Sequence, residues 1–226
     1  MPSCCFGPQP DRPPDVPHAA DEEFDAALSG WSVIDSGASG WAYDVDTTVR
    51  SCLFIDAPNV GAHTPGLYKA APTLPFRVTA KIAGYACALA PSTRADVGLF
   101  LGEATPGAFI HGCLDVAEDN YMCIVGSKWT SPTVWSVNIG DFLNGGSGAG
   151  SRSRVPGFGY MRPHWVRFDV HSSTDVDGYV SWDGLLFLPW LTAYNPGFTI
   201  GSVGIDIHTN GSDSAVAVDS LRFEDL

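Results

Sequence analysis

The stretch PFRVTAKIA, residues 75–83, constrains this chain more than any other. Phe76, Val78, Ala80 and Ile82 fall on one face of an extended segment, and Arg77, Thr79 and Lys81 on the other. HWVRFDVH, residues 164–171, repeats the pattern, with Val166, Phe168 and Val170 inside and Arg167 and Asp169 outside. Strict period-two alternation with a charged exterior is the signature of a half-buried antiparallel strand. ADVGLFLGE, NYMCIVG and TIGSVGIDI are apolar on both faces and predict central or doubly covered strands. SAVAVDSLRFED sets Val216 and Val218, then Leu221 and Phe223, on its apolar side. Turn-forming clusters such as Asp-Ala-Pro-Asn, Ala-Thr-Pro-Gly and Asn-Pro-Gly recur about every ten residues, the spacing of short strands in a sandwich or barrel. No segment has a helical pattern beyond one turn at IGDFLN, residues 139–144.

The expected fold is therefore all-β, a two-sheet antiparallel sandwich over residues 21–226. Residues 1–20 differ: Pro2, Pro8, Pro10, Pro13, Pro14 and Pro17 stand among few periodic apolar residues, which favours an extended arm. NGGSGAGSRSRVPG, residues 144–157, reads as a flexible loop within the same domain.

Charge narrows the partners. Twelve Lys and Arg stand against 25 Asp and Glu, a net charge of −13. Such a surface repels phosphate backbones and anionic headgroups, so neither nucleic-acid nor membrane binding is expected. The first 20 residues lack the basic start and apolar run of a secretory signal, which predicts synthesis and folding in a cytoplasm. Cys4, Cys5, Cys52, Cys87, Cys113 and Cys123 form no metal-ligand spacing, and Cys52, Cys87 and Cys123 sit in apolar runs as expected of buried small residues.

VDGYVSWDGLLF, residues 176–187, holds the one pattern that suggests a cation loop. A calcium loop beginning at Asp175 needs an oxygen ligand, a glycine and a bidentate carboxylate where Tyr179, Val180 and Leu186 stand. Chain reversal fits better: Asp183-Gly184 as a two-residue type I′ turn, preceded by a longer turn at SSTDVDG, making a three-stranded meander. No metal and no cofactor is expected.

That meander, with WVRFDV before it and TIGSVGIDI and AVAVDSLRF after it, resembles the C-terminal half of concanavalin A-like jelly-roll sandwiches, the lectin/glucanase and laminin G-like group. DEEFDAALSGWSV resembles their usual first strand, and the first strand near Phe24 should then lie beside the last near Phe223. The resemblance implies a jelly roll over most of residues 21–226, found in glycan-binding modules, in glycosidases and in accessory proteins of bacteriophage particles. Jelly-roll glucanases set carboxylates at alternate positions of one strand. Here Asp115, Glu118 and Asp119 lie in a turn-like stretch at the wrong spacing, so catalysis is not expected. No nucleophile elbow exists, Asn210-Gly211-Ser212 matches a glycosylation sequon only as a turn, and the six histidines read as surface or strand-end residues.

Two functions remain, with a divergent glycosidase as a remote third. In the first, the chain is a non-enzymatic virion structural protein, a phage capsid decoration or tail accessory protein, homo-oligomeric or lattice-bound and assembled in the host cytoplasm. Its arm would anchor on neighbouring subunits through Cys4, Cys5 and Phe6, stiffened by Pro8, Pro10, Pro13 and Pro14. In the second, it is a lectin-like module that stacks surface glycans on aromatics, for which Trp190 and Tyr194 lead, followed by Trp129, Trp135 and Tyr160.

Overall fold

The computed structural model describes residues 18–34, 39–47, 51–58, 63–88, 94–117, 122–131, 134–141, 164–210 and 213–226. Among them are fourteen strands and no helix. They run β1 Ser32–Ile34, β2 Ala42–Asp46, β3 Cys52–Ala57, β4 Gly66–Ala70, β5 Phe76–Ala88, β6 Arg94–Gly102 and β7 Phe109–Ala117. Then follow β8 Met122–Ser131, β9 Val134–Asp141, β10 Trp165–Ser172, β11 Asp175–Ser181, β12 Leu188–Tyr194, β13 Ser202–Asn210 and β14 Asp213–Asp225. They form two seven-stranded antiparallel sheets. The first has the order β1-β4-β13-β6-β7-β8-β9, and the second β12-β11-β10-β5-β14-β3-β2.

The alternation read from the sequence sets the inner faces. Phe76, Val78, Ala80 and Ile82 on β5, and Val166, Phe168 and Val170 on β10, are buried against Val97, Leu99, Leu101, Ile110, Val203, Ile205 and Ile207 of the first sheet. Each such side chain removed from water contributes about 1.5–3 kcal/mol. The apolar runs of β6, β8 and β13 are interior strands, each with a neighbour on both sides. The shift from even to odd apolar positions in β14 has a structural cause. Val218 pairs with Ile82 and Ser220 with Lys81, so Asp219 is an extra residue in a β-bulge. The bulge keeps Val216, Val218, Leu221 and Phe223 all buried, and Asp219 meets Lys81 Nζ at 2.7 Å.

The two ends of the sandwich join as expected. Glu22 bridges Leu221, and the Phe223 N–H donates to Asp21 Oδ1 at 2.7 Å. The opening segment is not the continuous strand its resemblance implied. Phe24 is fully buried but sits outside any strand with φ of 53°, and the first strand comes only at Ser32.

Four further expectations are corrected. The meander β10-β11-β12 forms, but Asp183-Gly184 is not a two-residue type I′ turn. Gly184 alone of the pair has positive φ, and residues 182–187 make a longer loop. The Asp183 carboxylate organises that loop: its Oδ1 accepts from Leu185 N at 2.8 Å, Leu186 N at 3.0 Å and Ser181 Oγ at 3.0 Å. The other turn is tighter than expected, since Asp175 is already in β11. Ile139, Gly140 and Asp141 belong to β9 rather than to a helical turn, and Asp115 to β7 rather than to a turn.

Candidate functional site

Of the aromatics chosen from sequence, Trp190 and Tyr194 do not form an exposed platform. Trp190 is the main correction: it is 6% exposed and wedged between the sheets. Its ring meets Phe168 edge-on at 5.5 Å, and it fills the space left by Gly112 of the first sheet and Gly178 of the second. A Cβ at either glycine would stand 2.5 Å from Trp190 Cζ2. Two strand-interior glycines forming a notch for one large ring were the available signal. Tyr194 is half-buried against the same core, and burial raises its phenol above the ordinary value. Trp129 and Trp135 are register partners across β8 and β9. Tyr160 and the arm residues Cys4, Cys5, Phe6, Pro8, Pro10, Pro13 and Pro14 lie outside the described residues.

The aspartates of the failed cation loop serve the chain itself. Asp177 accepts from the Ala193 N–H at 2.7 Å and the Tyr179 hydroxyl at 3.3 Å, with His171 Nε2 at 3.2 Å. Burial alone would raise this carboxyl, but those donors outweigh it and hold Asp177 below its ordinary value. Among the described residues no group of three or more His, Cys, Asp or Glu could hold a metal ion. A carboxyl depressed on folding adds stability that is full above the ordinary aspartate range and is lost as pH falls through the depressed value. We expect melting temperature to drop below about pH 4, and Asp177→Asn to remove part of that acid slope. A melting series from pH 7 to pH 2.5 checks it; an unchanged slope in the variant contradicts the assignment.

A different group of residues converges on the outer face of the second sheet. Period two and register place it in three cross-strand rows. The first is Glu224, Arg77, Asp169 and Asp177; the second Arg222, Thr79, Arg167 and Tyr179; the third Ser220, Lys81, Trp165 and Ser181. In the first row Arg77 grips Asp169 bidentately, Nε to Oδ1 at 2.7 Å and Nη2 to Oδ2 at 2.8 Å, and gives Nη1 to Glu224 at 3.1 Å. These bonds, those to Asp169 foremost, lift Arg77 above its ordinary value. In the second row the Arg167 guanidinium lies 4.2 Å from the Tyr179 ring centroid and 4.3 Å from that of Phe187, which the 182–187 loop supplies. Burial lowers the Arg167 pKa. In the third row Lys81 Nζ stands 5.8 Å from the Trp165 ring. Trp165, Tyr179 and Phe187 are all half-buried. Sequence reading placed Arg167 and Asp169 outside but missed the site, because Phe187 reaches it from a loop.

The outer face of the first sheet carries a second unforeseen feature. His111, expected at a surface or strand end, is fully buried in mid-strand on the side of β7 opposite Ile110. Its Nδ1 lies 3.0 Å from Oδ2 of Asp206, which is also buried. Phe100 and Phe109 pack beside the pair, with Phe109 edge-on to His111 at 6.1 Å. Asp206 Oδ1 has no hydrogen-bond partner.

Comparison with solved structures recovers the same architecture at low sequence identity. An engineered GH43 glycoside hydrolase with endo-xylanase and exo-arabinofuranosidase activity superposes with a TM-score of 0.63 and 13% identity, over 91% of this chain and 40% of its own. The cellulose induced protein Cip1 gives 0.54 and 12%, over 91% of this chain and 97% of its own. A legume lectin-like domain from Entamoeba histolytica gives 0.51 and 10%, over 87% of this chain and 90% of its own. The chain spans about two fifths of the length of the GH43 proteins it matches. No family model and no curated protein matches it. Two antiparallel sheets, ends joined through Glu22 and Leu221, and these superpositions establish the fold as a concanavalin A-like jelly-roll sandwich.

Proposed function

We propose that this chain is a non-enzymatic carbohydrate-binding sandwich whose glycan docks on the outer face of β5, β10 and β11 beside the 182–187 loop. One observation carries the reading: Trp165, Tyr179 and Phe187, all half-exposed, share a solvent-facing sheet with hydrogen-bonding groups held in fixed positions. Sugars bind through ring stacking plus a few oriented polar groups, and rigid side chains lower the entropy cost of ordering the site. The carboxylates here suit acceptance rather than proton donation. Asp169 is taken by Arg77, and donors hold Asp177 below its ordinary value.

A glycan array followed by titration calorimetry tests this. Trp165→Ala and Tyr179→Ala should each weaken binding about tenfold, an aromatic contact contributing on the order of 1 kcal/mol. Phe54→Ala and Tyr43→Ala, at exposed aromatics of β3 and β2, should leave it unchanged. Absence of any glycan ligand, or equal effects of all four, would remove the proposal.

A second element concerns where the sandwich acts. The His18 N–H donates to Asp21 Oδ2 at 3.1 Å, the Asp21 N–H donates to the His18 carbonyl at 2.9 Å, and Asp21 is tied to β14. His18, which follows the Pro-rich segment, is thus tied through Asp21 to β14. We propose that this segment anchors the module to neighbouring subunits of a virion, as a capsid decoration or tail accessory protein assembled in a host cytoplasm. Deletion of residues 2–17 spares the His18–Asp21 turn. It should leave the melting temperature nearly unchanged and abolish sedimentation as a larger assembly. An assembly that survives the deletion would leave a free glycan-binding module.

A further inference from the structure

Arg167 has more binding capacity than the fold uses. Its guanidinium carbon lies over two rings, 4.2 Å from the Tyr179 centroid and 4.3 Å from that of Phe187, and neither ring can accept from its in-plane N–H donors. The acceptor nearest to it, Asp169, is already gripped at both oxygens by Arg77. Arg167 Nε lies 3.2 Å from Asp169 Oδ1 but makes no hydrogen bond, and that atom is buried without a partner. Among the described residues Arg167 donates no hydrogen bond at all, although its side chain is only 15% exposed. Nε is thus a buried donor without an acceptor, which is costly, and the Nη donors make no bond within the described residues, so a ligand can accept from them.

The clamp is also held ready. Phe187 ends a loop whose backbone is pinned by Asp183, and the Gly184 N–H donates to Ser181 Oγ at 2.9 Å. Tyr179 is fixed on β11 by its hydroxyl bond to Asp177. Neither ring therefore has to be ordered when a ligand arrives.

We propose that Arg167 is the receptor for a carboxylate on the glycan, so that the ligands of this face are acidic, uronate-containing oligosaccharides. This rests on the carbohydrate-binding reading above and names its ligand class. A planar fork between two rings matches a planar carboxylate bidentately, and the sugar ring bearing that carboxylate would continue onto the aromatic surface beside it. A peptide is the poorer fit. The strands that carry Arg167 and Tyr179, β10 and β11, are each paired on both sides and offer no backbone edge for strand addition. The net charge of −13 repels long polyanions, so the site selects short acidic oligosaccharides held by contact rather than by long-range attraction.

The test is titration of the full chain with trisaccharides of galacturonate, glucuronate and mannuronate, each beside its neutral methyl ester, with a tri-glutamate peptide as a further arm. At least one uronate should bind about tenfold or more tightly than its own ester. Arg167→Gln should erase that preference, so that the acid and its ester bind alike. Arg167→Lys should restore it only in part, because lysine keeps the charge but not the fork. Phe187→Leu opens one side of the clamp and should also reduce the preference, so the result does not hang on one variant's folding. Equal binding of acid and ester by the native chain, or a preference that survives Arg167→Gln, overturns the carboxylate site while leaving glycan binding intact. If no sugar binds, both readings fall; Arg167-dependent binding of the peptide alone assigns the clamp to an acidic peptide instead.

Discussion

Trp190→Ala is expected to lower the free energy of unfolding by about 3–5 kcal/mol, the range for truncating a buried tryptophan. The ring fills the notch between Gly112 and Gly178 and touches Phe168, so its loss leaves a cavity shared by both sheets. Neither glycine has a side chain that could collapse into it. For a domain stable by about 5–15 kcal/mol this is a large share. Trp190→Phe should be clearly milder, because it keeps an aromatic in the notch and removes an indole N–H that has no partner. The contact is testable as a pair. Gly178→Ala should be strongly destabilising in the native chain, where its Cβ would meet the indole, and tolerated in the Trp190→Ala background. A coupling of about 1 kcal/mol or more by denaturant unfolding is the expected result; additive effects would mean that Trp190 is not packed on Gly178. Glycan affinity of the folded Trp190→Phe protein should be unchanged, since the ring lies between the sheets and not on the proposed face.

His111→Ala is the second large effect, expected to cost about 3–5 kcal/mol. It removes the partner of one Asp206 oxygen, and the other already has none, so a buried carboxyl group would be left with no hydrogen-bond partner at either oxygen. The sharper outcome is in the double variant. His111→Leu with Asp206→Leu replaces both members by apolar groups beside Phe100 and Phe109, and should be less destabilising than His111→Ala alone. Guanidinium unfolding of the three proteins decides it. A double variant less stable than His111→Ala would show that the pair stabilises the fold beyond what apolar packing replaces.

What could be read from the chain alone was whatever repeats over two residues. The alternation of Phe76, Val78 and Ile82 against Arg77 and Lys81 gave strand, face and core together, because a pleated backbone sends successive side chains to opposite sides. The change of phase in β14 was visible as Val216 and Val218 followed by Leu221 and Phe223, and it became a bulge at Asp219. The meander was legible from its turn residues, and the meeting of the chain's ends followed from the resemblance to jelly-roll sandwiches.

The features that only the tertiary structure decided join residues that no local period connects. Trp190 was read as loop-like and exposed because it precedes Asn195-Pro196-Gly197. It is buried because Gly112, 78 positions earlier, and Gly178, on the neighbouring strand, together leave a notch the size of its ring. Asp206 meets His111 across a separation of 95 residues, which depends on the register of β13, β6 and β7. The Arg167 clamp needs Tyr179 from the next strand and Phe187 from a loop whose length is set by the hydrogen bonds of Asp183. Side-chain alternation is a property of the backbone and is written residue by residue. Which ring covers which glycine, and which donor is left without an acceptor, depends on how distant strands align, and the alternating pattern alone leaves that alignment undetermined.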